Sequence, residues 1–259
     1  VSAILEGAAS LLESGATHPT LELLFTTGEE HFCVGAKAFD AERLQSKTAY
    51  VMDLSGPVGD CAVAAPTLIT FSAEVVGKAA HAGFAPEDGV HAIQVAAAAV
   101  ANLPSGRWGD VTVNVGTITG GRATNIVPDS CTVTGEIRAL CHQDALDRLN
   151  EIHSEFVEQA QAVDAKLNFN HTIHITGYRV DTDAPVAQRF RRACEAVGVA
   201  PRFTDTYGGS DCNILSAHGI QGLVVATAMN NCHAVNEYTT VEELCKAGRL
   251  AQALMEKQD

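Results

Sequence analysis

Apolar residues at Ile4, Ala8, Leu11 and Leu12 recur at helical spacing, which predicts an amphipathic helix over residues 2–14 closed by Gly15. The apolar run Leu21–Thr26 then predicts a short strand, residues 30–44 a helix, and "AYVMDLSG" (49–56) a second strand with an Asp toward its far end. Strand, helix, strand at this spacing reads as parallel α/β. From about residue 64 the texture changes. "TLITFSAEVVG" (67–77) is long and rich in β-branched residues, and a Gly/Ala/His loop leads from it to the helix "DGVHAIQVAAAAVANL". Two strands follow, "DVTVNVGTITG" and "SCTVTGEIRAL", then a helix over roughly 142–164 and a strand at "KLNFNHTIHI". The order β-α-β-β-α-β is that of a ferredoxin-like split βαβ unit. Beyond it, "PVAQRFRRACEAVG" reads as a helix, "GLVVATA" (222–228) as a buried parallel strand, and about 240–257 as a closing helix. The predicted architecture is therefore an α/β domain in two segments, 1–63 and 178–259, interrupted by an inserted α+β domain over 64–177.

Composition narrows the function classes. Apolar residues make up 46% of the 259 and charged ones 19%, which suits a folded chain with a sizeable core. The formal net charge of −14 argues against nucleic-acid binding, which depends on clustered Lys and Arg. The eight cysteines are scattered without Cys-x-x-Cys spacing, which argues against a zinc knuckle or thioredoxin-like pair and reads as free thiols of a cytoplasmic protein. No apolar stretch approaches the roughly 18–20 residues that span a bilayer, so no membrane association is expected. The chain opens on Val1 and runs straight into helical pattern, so the expectation is a piece of a longer protein without a signal peptide.

Four groups stand at or near predicted strand ends: Glu29 and Glu30 in "TGEEHF", Asp53, and His233. Open α/β sheets bind ligands beyond the carboxyl ends of their strands, so residues distant in sequence can converge there. Carboxylates with a neutral imidazole suit zinc, manganese or cobalt. Each alone has a plainer explanation: a solvated Glu-Glu turn, a turn-capping Asp53, a hydrogen-bonded loop histidine. Their joint placement favours a metal. In that case one Glu binds it and the other takes a proton from a bound water.

The ordered motifs "TGEE", "MDLSG", "GKAAHAG", "ATNIVPD", "GEIR", "GGSD" and "CHAVNEYTTVEEL" cover nearly the whole chain. Together they resemble the zinc-dependent exopeptidase family of peptidase T, carboxypeptidase G and acetylornithine deacetylase. The resemblance implies that Glu29 is the general base, that Glu30 and His233 bind one zinc, and that Asp53 binds the second. It also implies two further ligands, a His-x-Asp histidine and a bridging Asp, which lie upstream of the first helix in the family. Neither Asp40 nor Asp60 is placed to replace them, so the expectation is three of five ligands, a weak metal site and little activity for the chain as it stands.

The inserted domain would be the family's lid and dimerisation domain. His81 would polarise the scissile carbonyl, commonly in the neighbouring subunit, while Asn125 and Arg138 would hold the substrate's carboxylate and nearby polar atoms. The alternative for Arg138 is a surface salt bridge. "YGGSDCNIL" (207–215) is a Gly-rich loop opening a helix. Its Gly209, Ser210 and Asp211 look closest to the peptidase T-like branch, where Asp211 would meet a substrate's free α-amino group. Ser210 or Asp211 serving as a helix N-cap is the plainer reading. The expected function is a two-zinc aminopeptidase of short peptides, acting as a homodimer. The alternatives are an N-acyl amidohydrolase or carboxypeptidase of the same family, and a non-catalytic dimerising module.

Overall fold

The computed structural model describes residues 1–257. In chain order the first segment carries α1 (Ser2–Ser14), α2 (Val34–Ala38), β1 (Thr48–Ser55) and β2 (Asp60–Ala65). The middle carries β3 (Thr67–Val76), α3 (Ala92–Asn102), β4 (Gly106–Trp108), β5 (Val111–Gly120), β6 (Ser130–Ala139), α4 (His142–Gln161) and β7 (Lys166–Ile175). The last segment carries β8 (Tyr178–Arg179), α5 (Pro185–Ala196), β9 (Arg202–Asp205), α6 (Asp211–Ala217), β10 (Gln221–Met229) and α7 (Val241–Met255). Two compact units result: residues 1–65 with those from 178 onward, and residues 66–177. No helix among the described residues is long and apolar enough to cross a membrane.

The first unit is built on a mixed sheet in the order β1-β10-β2-β8, with β9 also on β2. β10 runs parallel to β1 and antiparallel to β2, so the expected parallel character holds on one side of β10 only. All six residues of β2, Asp-Cys-Ala-Val-Ala-Ala, are buried. Their small side chains let α5 press Val186, Phe190 and Cys194 into the core shared with Leu223, Val225 and Leu250. On α1, a Cβ added at Gly7 would stand 2.7 Å from the backbone nitrogen of Gln252, so glycine there lets α1 lie directly on α7.

Two expectations fail in this unit. Residues 21–26 form no strand: no ladder pairs with them, and Leu23 and Phe25 stay 45% and 46% exposed. Strand propensity is realised only through pairing and burial, and this run has neither. Its order comes instead from Glu22, whose carboxylate accepts the backbone N–H groups of Gln45 and Ser46. The helix expected over 30–44 is reduced to α2 and a 3-10 turn at Ala41–Arg43. Phe32 and Cys33 adopt φ of 58° and 57°, a left-handed conformation no helix interior tolerates. The short strands β8 and β9 carry too few residues to register as a pattern and were not foreseen.

The second unit has the expected β-α-β-β-α-β order. Its antiparallel sheet runs β4-β5-β6-β3-β7, with β4 a short addition at the edge. From Ile69 onward β3 alternates, so Ile69, Phe71, Ala73 and Val75 meet α3 and α4, with Phe156 fully buried between. The opposite face is polar. Thr70, Ser72, Asn114, Thr134, Glu136 and Thr172 line a groove of about 410 Å³ there.

Candidate active site

In the first unit the "TGEE" segment folds back on itself. The N–H of His31 donates to the Gly28 carbonyl (3.1 Å), that of Cys33 to Glu29 (2.8 Å) and that of Gly35 to Thr27 (3.0 Å). Gly28 supplies the left-handed φ of 67° that this turn requires. Glu29 is thereby turned inward beside Cys33, whose Sγ lies 3.9 Å from its carboxylate, while Glu30 points to solvent.

Glu30 Oε1 lies 3.5 Å from Nδ1 of His233, although the residues are distant in sequence. His233 follows β10 and takes φ of 65°, uncommon for a residue with a side chain. Its own N–H donates to Glu237. Asp53 lies inside β1 rather than after it, between Val51 and Leu54, where the ladder with β10 shifts register. Such a bulge re-aims the side chains it carries.

The electrostatics follow from this crowding. Burial, then the charges of Asp53, Glu30 and Asp211, push the Glu29 carboxyl up to about 6 against a modest opposing pull from His233. Asp53 is raised by the protein packed around it and by Asp211 and Glu30. Burial first, then Asp211 and Glu29, push the Cys33 thiol up to about 12, so it stays protonated. A carboxyl held near 6 suits a group that must both accept and release a proton near neutrality.

Ser210 caps α6 and closes a capping box: its hydroxyl accepts from Cys212, and its N–H donates to the Asn213 side chain. Asp211, next to Gly209 and Ser210, takes the hydroxyl of Thr26 on its carboxylate. This ties the start of the "TGEE" segment to α6. Nothing in the residue pattern pointed to Thr26 or Cys33 as members of the site.

The donors here fit a divalent cation in kind: two carboxylates, Glu30 and Asp53, and the His233 imidazole. They do not fit in number, because no group of three His, Cys, Asp or Glu side chains among the described residues converges to hold a metal. Only Glu30 and His233 meet.

In the second unit, His81 and Asn125 come together through the backbone. His81 forms an isolated antiparallel bridge with Ile126, and Ala82 donates to the Asn125 carbonyl at 3.0 Å. Arg138 stands on β6 and grips Glu136, two residues away on the same face, through Nε at 2.9 Å and a second nitrogen at 3.3 Å. Its place on a strand is as expected, and its carboxylate partner within the chain is Glu136.

Residues 63–164 match the peptidase dimerisation domain of the M20 family. The chain is 31% identical to the YqjE protein of Bacillus subtilis over 99% of its own length and 70% of that protein's. It superposes on the crystal structure of the aminopeptidase PepT of Bacillus cereus with a TM-score of 0.93 and 36% identity, over 98% of this chain and 68% of that one. A tripeptidase of Staphylococcus aureus gives 0.94 and 27% over the same shares. The chain spans less than two thirds of the curated peptidase T relatives that it matches.

Proposed function

Because the chain belongs to the M20 peptidase family, in its peptidase T-like branch, we propose that the protein it comes from is a metal-dependent aminopeptidase of short peptides. The observation that carries this reading is Glu29, a half-buried carboxyl held near 6 beside the Glu30–His233 pair. Glu29 is assigned the proton transfers of peptide hydrolysis: it takes a proton from the attacking water and delivers it to the leaving amine. Glu30, His233 and Asp53 are assigned to two zinc ions, with the remaining donors supplied from outside this set. A zinc ion in such a site supplies Lewis acidity and lowers the pKa of water. On its own this chain is expected to hold metal weakly and to hydrolyse little.

Asp211 is assigned to the free α-amino group of the peptide, beside the Gly209–Ser210 turn. Asn125 and Arg138 are assigned to the substrate's polar end groups, with Arg138 exchanging Glu136 for a carboxylate of the peptide. His81 is assigned a hydrogen bond to the scissile carbonyl. The similarity to an aminopeptidase and a tripeptidase supports the substrate class. The match to a dimerisation domain supports a homodimer formed through residues 66–177. Eight free cysteines accord with a cytoplasmic location.

The test uses the longer protein. Glu29→Gln should keep bound zinc by elemental analysis while losing tripeptide hydrolysis, whereas Glu30→Gln and His233→Ala should lose zinc as well. Asp211→Asn should raise KM for free-amine peptides and leave N-acylated ones unaffected. Full hydrolysis in both Glu variants would refute the assignment.

A further inference from the structure

His81 stands on a loop whose residues are exposed, where an imidazole ordinarily samples several rotamers and both neutral tautomers. Here it is held from three sides. Its Nδ1 accepts the backbone N–H of Gly83 at 3.1 Å and that of Phe84 at 3.3 Å. Its ring stacks on the ring of Phe84, with centroids 4.2 Å apart and planes 28° from parallel. Its carbonyl accepts from Phe84 and Ala85, and the bridge to Ile126 fixes the strand on its other side.

We infer that the Gly83–Phe84 turn presents His81 as an Nε2–H hydrogen-bond donor, with Phe84 as the positioning residue. A neutral imidazole carries one hydrogen. An Nδ1 that receives two N–H groups is the acceptor nitrogen, which leaves the hydrogen on Nε2, at the far edge of the ring. Phe84 sets the plane of that ring. It is 86% exposed, so burying its side chain in a core is not its role, and its ring stacks on that of His81. The missing side chain at Gly83 is not what orients the imidazole, since a Cβ there would meet it only at ordinary contact distances of 3.6 and 3.7 Å.

The consequence for chemistry rests on the proposed role of His81 at the scissile carbonyl. A neutral, pre-oriented Nε2–H is a donor suited to a carbonyl oxygen that gains negative charge, and it requires no reorganisation as the charge develops. Rotation of the ring by one rotamer, or transfer of its hydrogen to Nδ1, would take that donor away. A misplacement of about 1 Å costs catalysis up to about 100-fold.

Long-range 1H–15N correlation spectra of the protein labelled with 15N-histidine, taken above the ordinary imidazole titration range, read the tautomer directly. His81→Asn identifies the signal among the ten histidines. Wild type should show His81 with its hydrogen on Nε2 and a single χ1 rotamer by three-bond couplings, whereas Phe84→Ala, which keeps both backbone N–H groups, should retain the tautomer but average the couplings. Phe84→Tyr, which keeps the stack, should restore the wild-type signature. In the longer, active protein Phe84→Ala should lower kcat roughly 10-fold with KM little changed, with recovery in Phe84→Tyr. Wild-type His81 on Nδ1–H, or unaveraged His81 couplings in Phe84→Ala, would overturn the inference. Should His81→Ala leave hydrolysis intact, the catalytic reading of His81 falls, while the spectra still decide whether Phe84 orients the ring.

Discussion

Glu29 should make the metal-free protein less stable than it could be. In a free chain its carboxyl would titrate near 4.5, whereas in the fold burial and the neighbouring carboxylates hold it near 6. The folded state therefore keeps the proton that the unfolded state has released. This proton-linked stability is complete below about 4.5 and is lost as pH rises through about 6. The gap corresponds to about 2 kcal/mol before solvent screening, and to about 1 kcal/mol once the partial exposure of Glu29 is allowed for. Glu29→Gln keeps the shape and removes the charge. With a chelator present, urea unfolding followed by circular dichroism at a series of pH values should find the variant equal to wild type near pH 4. Above pH 7 it should be more stable by about 1 kcal/mol, a rise of about 2–4 °C in Tm for a chain of this size. A difference that does not vary with pH, or a variant less stable than wild type at pH 8, would refute the electrostatic picture of the site.

Three further outcomes are expected. Phe156→Ala, in the fully buried centre of the second unit, should cost about 3–5 kcal/mol in urea unfolding. Gly135→Ala should cost about 1–3 kcal/mol in the same measurement, because a Cβ there overlaps the Phe71 ring and the Asn114 carbonyl. Maleimide labelling of the native protein, read by peptide mass, should modify exposed Cys141 and Cys245 well before buried Cys33, Cys61, Cys131, Cys194 and Cys212.

The inserted fold was legible because its strands are long, β3 is rich in β-branched residues, and the elements follow the β-α-β-β-α-β order. Residues 21–26 misled because an apolar run states a propensity, while a strand needs a neighbour to bond with. The break at Phe32 and Cys33 was invisible because no glycine marks the left-handed turn. In the site, Glu29, Glu30, Asp53 and His233 were singled out by their placement at or near predicted strand ends, and the motifs then suggested a role for each. Their grouping depends on the bulge in β1 and on the turn after β10, which are three-dimensional facts. The Thr26–Asp211 tie joins residues far apart in sequence, and no local pattern encodes such a bond. The Phe84 stack is local, three residues from His81, but an exposed phenylalanine in "HAGFAP" carries no mark of it.

Ala65 pairs with Tyr178 across the first unit's sheet, and within the second unit the N–H of Gly177 donates to the Thr67 hydroxyl at 2.8 Å. While the inserted segment is unfolded, the Ala65–Tyr178 rung must close a loop of roughly 110 flexible residues, and each doubling of loop length costs about 0.6 kcal/mol. Once the segment folds, its two ends are already side by side and the loop shrinks to a few residues. The closure penalty then falls by about 3 kcal/mol. Folding of residues 66–177 is thus entropic leverage on the host sheet. Chain connectivity couples the insert to the host sheet, and a mutation that melts the insert is felt in the host without any side chain of the host having changed.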